Sequence, residues 1–539
     1  MTTALQNEVS RSLIDDLSGI VGVDHVLTSG PDRLAYQNDC WPRGIIRTRA
    51  RDLDHHLPAA IVQPADESEV VELVKWARKT GTPLVPFGAG SGVCGGTLAD
   101  RARVIVDVKR MDRIVETRAE DLTVRVQPGA IGMPFERELQ RRGFTLGHFP
   151  SSIYCSSVGG WIAARGAGQC SSLYGKIEDM VASVRAVTGR ADVFDTAPDA
   201  LRDHPRAEVP GGGPDTTQLF VGSEGTLGIL TEATLFMDRR PEHRFYRGFH
   251  FEDVSTALSA ISDMMQAGLK PAVVRLYDAV DTFLHKSGDS EKGESDIPPG
   301  LLKTLRKLAS DAIPDAVAGR LQEKLRKVSH AFIGRVLGKP AALNSLAGAL
   351  PGGCLLIVGF EGVSPLVEDE ADYAFDLLGR TGEDRGPGPG LHWLETRYNV
   401  SYKQSPMYDT GAFVDTMEVS TDWANVYDLY ERVREALRPH VFVLAHFSHV
   451  YPHGSSIYFT FAGFAPTDEE TLALYDRTWE AGLDAVAEAG ASVAHHHGVG
   501  YAKAPWSHCD HRGGRKAFEA LKEAFDPDRI MNPGKVYRD

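Results

Sequence analysis

The stretch "VPFGAGSGVCGGT", residues 85–97, decides how the first half of the chain is interpreted. Its glycines Gly90, Gly92 and Gly95 have the G-x-G-x-x-G spacing of a nicotinamide-dinucleotide turn. That turn needs a helix beginning at the glycines, because the pyrophosphate rests on the helix N-terminus. Only "TLADRA" separates Gly96 from the next apolar run, and it has no helical periodicity. The sequence therefore excludes a nicotinamide site and predicts a loop whose backbone N–H groups approach an anion.

The segments around this loop predict a mixture of strands and helices. "AAIVQP", "PLVPF", "RVIVDV" and "LTVRVQPGA" are short apolar or alternating runs typical of strands. "DESEVVELVKWARKTG" has the acidic first turn, apolar period and glycine stop of an amphipathic helix. Two more glycine-rich segments follow, at 156–181 and 222–235. Three separate glycine loops suggest a long ligand contacted at several places.

Length and charge restrict the class of protein. The chain has 539 residues, which predicts about two or three domains. Its formal net charge of −15 argues against a nucleic-acid partner, because phosphate backbones are bound by basic surfaces. The six cysteines are scattered without a C-x-x-C pair, as expected in a reducing compartment. The polar start resembles no secretory signal, and no apolar run is long enough to span a bilayer, so we expect a cytoplasmic protein.

A basic helical pattern covers residues 301–339. It contains nine Lys or Arg against three Asp or Glu, a balance of +6, and an apolar stripe from Leu321 to Val336. One interpretation is a solvated helix that packs on a neighbouring element. The other is a peripheral contact with a membrane surface.

Histidines form two clusters in the second half of the chain. His446 and His449 precede His453 in one segment, and "HHHGVG" contains His495 to His497. One buried structural imidazole explains two such clusters poorly, so we predict an active site. Glu418 could complete a metal site with His446 and His449. Residues spaced i,i+3 in a strand point to opposite faces, however, so we predict no metal.

Two further side chains suggest proton transfer and anion binding. Tyr458 lies on an alternating strand, "SSIYFTF", where nearby cations would favour its phenolate. Arg275 places a charge inside the apolar strand "VVRLYD" and must meet an anion when folded. That anion is either a structural carboxylate such as Asp278 or part of a substrate or cofactor.

Several motifs together resemble the FAD-binding domain of the vanillyl-alcohol oxidase superfamily, the PCMH type. These motifs are "PFGAGSGVCGG", "PSSIYCSSVGGW", "YGKIEDMV" and "GSEGTLGI". Within the superfamily, "GHFPSS", "VVRLYD", "IYFTF" and "HHHGVG" are most similar to alkyl-dihydroxyacetone-phosphate synthases and their bacterial relatives. The resemblance extends from about Leu57 to Lys535.

The resemblance implies an α+β fold, in which two α+β subdomains hold FAD and an α+β cap domain covers the isoalloxazine. The domains expected on this basis are a helical lead-in at 1–56, the FAD-binding domain at 57–237, a cap at 238–464 and C-terminal helices at 465–539 that close over the flavin. Within the cap, residues 283–350 are expected to form a mobile basic insert.

The family's functional positions imply three sets of residues in this chain. The cofactor set is Pro86, Gly88, Ala89, Gly90, Ser91, Gly92, Pro150, Ser151, Ser157, Val158, Gly159, Gly160, Glu178, Asp179, Glu224, Gly225 and Ile229. The catalytic set is His148, Arg275, Tyr458, His495, His496 and His497, with Tyr458 as the proton-transfer residue. The substrate set is Gln404, His446 and His449.

The family reaction adds a substrate carbon to flavin N5, releases a fatty acid and accepts a fatty alcohol, which forms an ether lipid without net redox change. One position departs from the family, because Gln404 stands where an arginine is expected to meet the leaving carboxylate. An amide does not replace a bidentate guanidinium.

The alternative in the same superfamily is an FAD-dependent D-2-hydroxyacid dehydrogenase of the D-lactate, glycolate or D-2-hydroxyglutarate type, often with a zinc ion. A third alternative is a binding protein that has lost turnover. We expect non-covalent FAD, since Ser91 replaces the attaching histidine of some relatives, with Cys155 as the other attachment point to consider. We also expect a small-molecule or lipid-like substrate and a homodimer.

Overall fold

The computed structural model describes residues 9–52, 56–197, 214–282, 334, 337–348, 353–399, 407–511 and 513–537. The chain divides into two compact units. The first unit is Met1–Gly44, Arg51–Arg240 and Ala494–Asp539, and the second is Ile45–Ala50 and Pro241–Val493. The helix Pro42–Arg49 contains the first point of division. The second unit is thus inserted in the sequence of the first.

The first unit contains two larger sheets. Its strands are β1 Val26–Leu27, β2 Ala60–Val62, β3 Leu84–Phe87, β4 Val104–Asp107, β5 Ile114–Arg118, β6 Thr123–Val126, β7 Phe144–Thr145, β8 Val181–Thr188, β9 Val193–Asp195, β10 Gly228–Phe236 and β11 Asp238–Arg239. The first sheet has the order β1-β2-β4-β3, in which β2, β4 and β3 are parallel. The second sheet is antiparallel, with the order β5-β6-β10-β8-β9. β7 and β11 form a separate pair.

Helices connect and cover these strands. The α-helices of the first unit are Arg11–Val21, Gly30–Ala35, Glu67–Thr80, Gly132–Arg141, Val158–Ala163, Ser171–Tyr174, Ile177–Met180, His508–His511 and Gly514–Phe525. No helix begins in the loop between β3 and β4, which confirms that the glycines do not form a nicotinamide-type turn.

The helix Glu67–Thr80 shows how local sequence sets an element. The Asp66 side chain accepts a hydrogen bond from the Glu69 N–H at 3.0 Å, and Gly81 ends the helix in the left-handed region at φ 69°. Its buried face packs into a core cluster that also contains residues of β2, β4, β8 and β10. The predicted helix is confirmed.

The N-terminal and C-terminal segments complete the first sheet. β1, which lies in the segment before residue 57, pairs with β2 and so forms an edge of this sheet. Near the C-terminus, Leu84 donates its N–H to the Ile530 carbonyl at 2.7 Å and accepts from the Asn532 N–H at 2.8 Å. These bonds extend the sheet beyond β3.

The second unit is built on one antiparallel sheet of seven strands. They are β12 His243–Phe251, β13 Val273–Tyr277, β14 Cys354–Gly362, β15 Glu383–Asp384, β16 Phe413–Asp422, β17 Phe442–Tyr451 and β18 Gly454–Gly463. Their order is β15-β12-β14-β13-β17-β18-β16. The α-helices of this unit are Val254–Gln266, Pro340–Gly348, Leu366–Leu378, Gly388–Thr396, Val426–Leu437 and Asp468–Glu488. Both units therefore have the predicted α+β character.

The helix Asp468–Glu488 belongs to the second unit, whereas we had expected a C-terminal segment beginning at residue 465 to cover the flavin. Its Tyr475 hydroxyl donates to Asp415 on β16 at 2.5 Å, and the Trp479 indole donates to the same carboxylate at 3.0 Å. A buried carboxylate with two donors fixes the helix to the sheet.

No helix in the described ranges is both long and apolar enough to cross a membrane. Residues 301–333, 335 and 336, most of the basic segment, lie outside the described residues.

Candidate active site

The three glycine-rich segments converge in the first unit. A Cβ on Gly88 would lie 2.2 Å from the Ser157 Oγ, and a Cβ on Gly225 would lie 2.7 Å from the Pro86 side chain. A side chain at either glycine would therefore push the loops apart. The three glycine-rich segments therefore pack against one another in this unit.

The loop after β3 presents unpaired backbone donors. The N–H groups of residues 89–92 donate to no acceptor among the described residues. By contrast, the helix Val158–Ala163 has its first donors paired, because Val158 bonds to Ala130, Gly159 to Pro128 and Gly160 to the Ser157 side chain. The backbone donors that remain open to an anion therefore lie in the glycine loop and not at the N-terminus of this helix.

His148 is a buried imidazole with nothing to bond to in the described chain. It is 1% exposed, its ring lies 4.6 Å from that of Trp161, and neither ring nitrogen has a hydrogen-bond partner there. Burial lowers the pKa of His148 to about 3, so the ring is neutral at physiological pH. Two buried ring nitrogens without a partner in the described chain are available to a bound ligand.

The triple histidine lies in a turn that is held from two sides. The Lys176 ammonium donates to the His495 carbonyl at 3.0 Å and lies 2.8 Å from Glu178. His495 and His496 bring their Nδ1 atoms to 2.8 Å, and the His496 and His497 rings are 4.6 Å apart. The three rings therefore form one cluster.

Glu224 fastens the chain that follows this turn. Its carboxylate accepts hydrogen bonds from the N–H groups of Val499 and Gly500, the latter at 2.9 Å. The Asn532 amide donates to the Glu224 carbonyl at 2.6 Å and to the Gly96 carbonyl at 3.0 Å. The described contacts of Glu224 are thus with the protein's own loops.

The remaining predicted cofactor residues differ in their surroundings. Asp179 accepts from the Lys176 N–H at 2.9 Å and caps the helix Ile177–Met180. Ser151 is exposed and accepts from Gln169, and Pro150 beside it is half-buried. The Ile229 side chain packs in the hydrophobic core, so only its backbone is available to a ligand.

In the second unit, cross-strand register places four polar side chains in one row. Tyr277 on β13 is opposite His446 on β17, His446 is opposite Tyr458 on β18, and Tyr458 is opposite Glu418 on β16. Directly opposed residues share a face of the sheet. The His446 and Tyr458 rings stack at 4.7 Å with planes 15° apart.

His449 joins this row through a β-bulge, which makes our prediction about its direction wrong. The register between β17 and β18 shifts between Ser448 and Val450, and His449 has a φ of 54°. The extra residue turns the side chain, so the His449 ring lies 6.2 Å from the ring of Tyr458. The i,i+3 rule applies only to a regular strand.

The ionisation expected for Tyr458 is also reversed. Burial raises the pKa of Tyr458 well above its usual value, and the Glu418 charge raises it further. Arg275 lowers this pKa by a smaller amount. The phenol therefore keeps its proton, where the sequence suggested a phenolate.

Arg275 meets the histidine row and not Asp278. Its Nη2 lies 2.9 Å from the His446 Nε2, and its guanidinium carbon lies 5.2 Å from the centre of the Tyr277 ring. Asp278 instead accepts from the Ala445 N–H at 2.9 Å and the Tyr430 hydroxyl at 3.2 Å. The structural carboxylate considered for Arg275 is therefore occupied elsewhere.

Gln404 lies outside the described residues. Over the described ranges, no cluster of three or more His, Cys, Asp or Glu side chains is arranged to hold a metal ion.

Comparison with known proteins agrees with this architecture. Residues 58–197 match a family model described as an FAD binding domain, and residues 240–536 match the C-terminal domain of FAD linked oxidases. The alkyldihydroxyacetonephosphate synthase of Dictyostelium discoideum is 30% identical over 506 residues, covering 92% of this chain and 75% of that protein.

The chain belongs to the FAD-linked oxidase family.

This FAD-linked oxidase is also similar to a solved structure and to a further relative. A solved alkyldihydroxyacetonephosphate synthase has a TM-score of 0.74 and 25% identity, over 98% of this chain and 86% of that one. The glycolate oxidase subunit GlcD of Bacillus subtilis is 25% identical over 545 residues, covering 98% and 97% of the two chains. The predicted superfamily, fold, cofactor and enzyme class are confirmed.

The described residues fit FAD. The free N–H groups of residues 89–92 suit a pyrophosphate, and the unsatisfied His148 nitrogens suit a polar ring edge. When bound, FAD would supply its isoalloxazine ring as the reactive group.

Some residues that support the site were not predicted. Asn532 and Lys535, in "NPGK", brace the glycine loop, and the Lys535 ammonium donates to the Leu98 carbonyl at 3.0 Å. Asp281 lies 3.5 Å from His446. The "NPGK" motif was visible in the sequence, whereas no local pattern distinguishes Asp281.

Proposed function

We propose that this FAD-linked oxidase acts as an alkyldihydroxyacetonephosphate synthase. The reaction would exchange the acyl chain of acyl-dihydroxyacetone phosphate for the alkyl chain of a fatty alcohol and release a fatty acid, with no net redox change. The observation that carries the proposal is the row in which protonated Tyr458 lies between His446 and Glu418, with Arg275 beside it. The 30% identity to the Dictyostelium enzyme supports it.

The residues of the second unit have separate tasks under this proposal. Tyr458 holds the mobile proton at its phenolic oxygen, because its pKa is raised by burial and by Glu418. Arg275 binds an anionic group of the substrate through the guanidinium donors that His446 does not use. Stacking on His446 restricts the phenol ring to one orientation.

Under this proposal, the residues of the first unit bind FAD and orient the substrate. The loop at residues 89–92 holds the pyrophosphate of FAD, and neutral His148 hydrogen-bonds a polar group of the bound ligand. The cluster of His495, His496 and His497 donates hydrogen bonds to phosphate or carbonyl oxygens of the substrate. Lys176 and Glu224 keep that turn in place.

The test is an exchange assay on the purified yellow enzyme, with palmitoyl-dihydroxyacetone phosphate and radiolabelled hexadecanol. We expect label in alkyl-dihydroxyacetone phosphate and one equivalent of palmitate released per turnover. Arg275→Met should abolish the exchange while FAD stays bound. If the wild-type enzyme releases palmitate without incorporating the alcohol, or does neither, the proposed function is wrong.

A second candidate is a D-2-hydroxyacid dehydrogenase. Two observations favour it: glutamine at position 404 and the full-length similarity to a glycolate oxidase subunit. Anaerobic addition of D-lactate, glycolate or D-2-hydroxyglutarate would then bleach the flavin absorbance. Bleaching by any of these acids, together with no alcohol exchange, would replace the synthase proposal by this one.

We further propose that the protein is cytoplasmic, forms a homodimer and contacts membranes peripherally through residues 301–339. The basic balance of that segment and the amphiphilic substrate proposed here support the membrane contact. Analytical ultracentrifugation measures the oligomeric state directly.

A further inference from the structure

We infer that Asp281 is a positioning residue that acts through His446 to aim the Arg275 guanidinium at the anionic group of the substrate. The inference rests on the proposed function only in taking the substrate to be an anion. It concerns the second unit alone, where all three residues lie.

The three side chains form a continuous chain of contacts. The Asp281 Oδ2 lies 3.5 Å from the His446 Nδ1, at the outer limit of a hydrogen bond. The His446 Nε2 lies 2.9 Å from the Arg275 Nη2. The imidazole is only 7% exposed, and the Tyr458 ring stacked against it at 4.7 Å restricts its rotation.

Donor and acceptor chemistry fixes the tautomer of His446. A guanidinium has only donors, so the Nε2 that faces Arg275 must accept. A neutral imidazole that accepts at Nε2 carries its proton at Nδ1, and that proton points toward the Asp281 carboxylate. Asp281 therefore favours the one tautomer that can hold Arg275.

One guanidinium donor of Arg275 is left for a ligand. The Arg275 Nε is buried and has no hydrogen-bond partner in the described part of the chain. The Tyr277 ring supports the guanidinium at 5.2 Å, which limits its movement away from His446. A carboxylate or phosphate oxygen of a ligand would satisfy this buried donor with a charge-assisted hydrogen bond.

Asp281 is itself held in a fixed turn. Its N–H donates to the Asp278 Oδ1 at 2.9 Å, directly after β13, and Asp278 is bound in turn by the Ala445 N–H. The position of the Asp281 carboxylate relative to Arg275 is thus set by the end of the strand that carries Arg275. This short connection therefore limits the movement of Asp281 relative to Arg275.

The test compares Asp281→Leu with Asp281→Asn in the FAD-loaded enzyme. The ligand probes are dihydroxyacetone phosphate and inorganic phosphate, with binding measured by calorimetry. We expect Asp281→Leu to weaken binding by about 10- to 100-fold, as for loss of a hydrogen bond to a charged group. Asp281→Asn should remain within about 3-fold of wild type, because its amide oxygen still accepts from Nδ1. In the exchange assay, Asp281→Leu should raise KM and change kcat little.

Two controls make the result specific. Asp376→Leu and Asp376→Asn make the same changes at an exposed helix position and should bind like wild type. Arg275→Met should weaken binding of dihydroxyacetone phosphate and inorganic phosphate at least as much as Asp281→Leu does. Unfolding temperature and FAD content report whether each variant is folded.

Three outcomes would overturn the inference. They are unchanged binding in Asp281→Leu, equal losses in Asp281→Leu and Asp281→Asn, and phosphate binding that survives in Arg275→Met. If the wild-type enzyme binds dihydroxyacetone phosphate in an Asp281-dependent way but exchanges no alcohol, the inference stands and the proposed function fails. The two ideas can therefore fail separately.

Discussion

Tyr458 keeps its proton because its surroundings oppose a phenolate from two directions. Burial removes the water that would stabilise the anion, and the Glu418 carboxylate on the adjacent strand adds a like charge. The Arg275 charge reduces this effect without cancelling it. The histidines near Tyr458 in the sequence suggested a phenolate. The folded surroundings of Tyr458 favour the protonated phenol.

Replacing Tyr458 with phenylalanine should remove turnover but not the cofactor. We expect the rate to fall by about 10²- to 10⁴-fold, the range for loss of a general acid or base, because the ring still packs while the mobile proton is gone. The alcohol-exchange rate and the flavin spectrum measure both properties. Tyr373→Phe, at a position 52% exposed, is the matched control. Retained activity in Tyr458→Phe would remove this residue from the mechanism.

His148 should make the protein sensitive to acid. Its pKa is lowered to about 3 by burial, from an ordinary value near 6.5. Between these values the unfolded chain binds a proton that the folded chain does not, so stability falls as pH falls from about 6.5 toward 3. The slope is up to about 1.4 kcal/mol per pH unit.

Thermal unfolding of wild type and His148→Gln between pH 7 and pH 5 measures this effect. The wild-type midpoint should drop more steeply on acidification, because glutamine does not titrate. His453→Gln, at an exposed position, should behave like wild type. Parallel pH profiles for wild type and His148→Gln would contradict the assignment of a buried neutral imidazole.

At the scale of elements, a single carboxylate joins two loops of the first unit. Glu224 lies at the turn before β10 and accepts from the backbone of Val499 and Gly500, just after the triple histidine. Glu224→Leu should release that turn, at a cost of about 1.5–3 kcal/mol for each hydrogen bond to the charged group. We expect a lower unfolding temperature and a lower ratio of FAD to protein.

The comparison with Glu224→Gln separates the hydrogen bonds from the charge. The glutamine oxygen still accepts from backbone N–H groups, so this variant should keep more FAD than Glu224→Leu. Glu120→Leu, on the exposed surface of the same unit, controls for the change of residue type. If Glu224→Leu binds FAD as wild type does, the hydrogen bonds from Val499 and Gly500 to Glu224 do not shape the cofactor site.

The bulge in β17 is a second element-scale feature. His449 has a φ of 54°, in the region that β-branched residues avoid. His449→Val should therefore be less stable than His449→Gly by about 1–2 kcal/mol. At Leu444, in the regular part of β17, the order should reverse, because valine suits a strand better than glycine. Thermal unfolding measures the stability of the valine and glycine variants at both positions. If the valine variant is the more stable one at position 449 as well as at position 444, the bulge is not maintained.

At the scale of the whole molecule, the charge distribution predicts where the protein acts. The net charge is −15, yet residues 301–339 carry a balance of +6. Changing five of their basic residues to glutamate should abolish binding to anionic vesicles in a flotation assay. These are Lys303, Arg306, Lys307, Arg320 and Lys324. Neutral vesicles and added salt are the controls, since the attraction is electrostatic and screened. Unchanged vesicle binding would contradict a membrane contact through this segment.

The fold was largely predictable from local patterns. The helix Glu67–Thr80 has its cap, period and stop within a few residues, and β10 has nearly regular alternation between its two faces. Domain limits were less predictable, as the helix Asp468–Glu488 shows. Asp415, which accepts hydrogen bonds from Tyr475 and Trp479 of this helix, lies 60 or more residues away in sequence.

The family, the cofactor and most elements could be inferred from the amino-acid sequence, because glycine spacing, caps and periodicity are short-range properties. Which side chains meet could be learned from the folded chain alone. Tyr277, Glu418, His446 and Tyr458 come from four strands, and strand register alone makes them one row. Register is set by pairing and packing across the sheet, so one bulge redirects His449 and one turn brings Asp281 to His446. No short-range signal in the chain encodes those encounters.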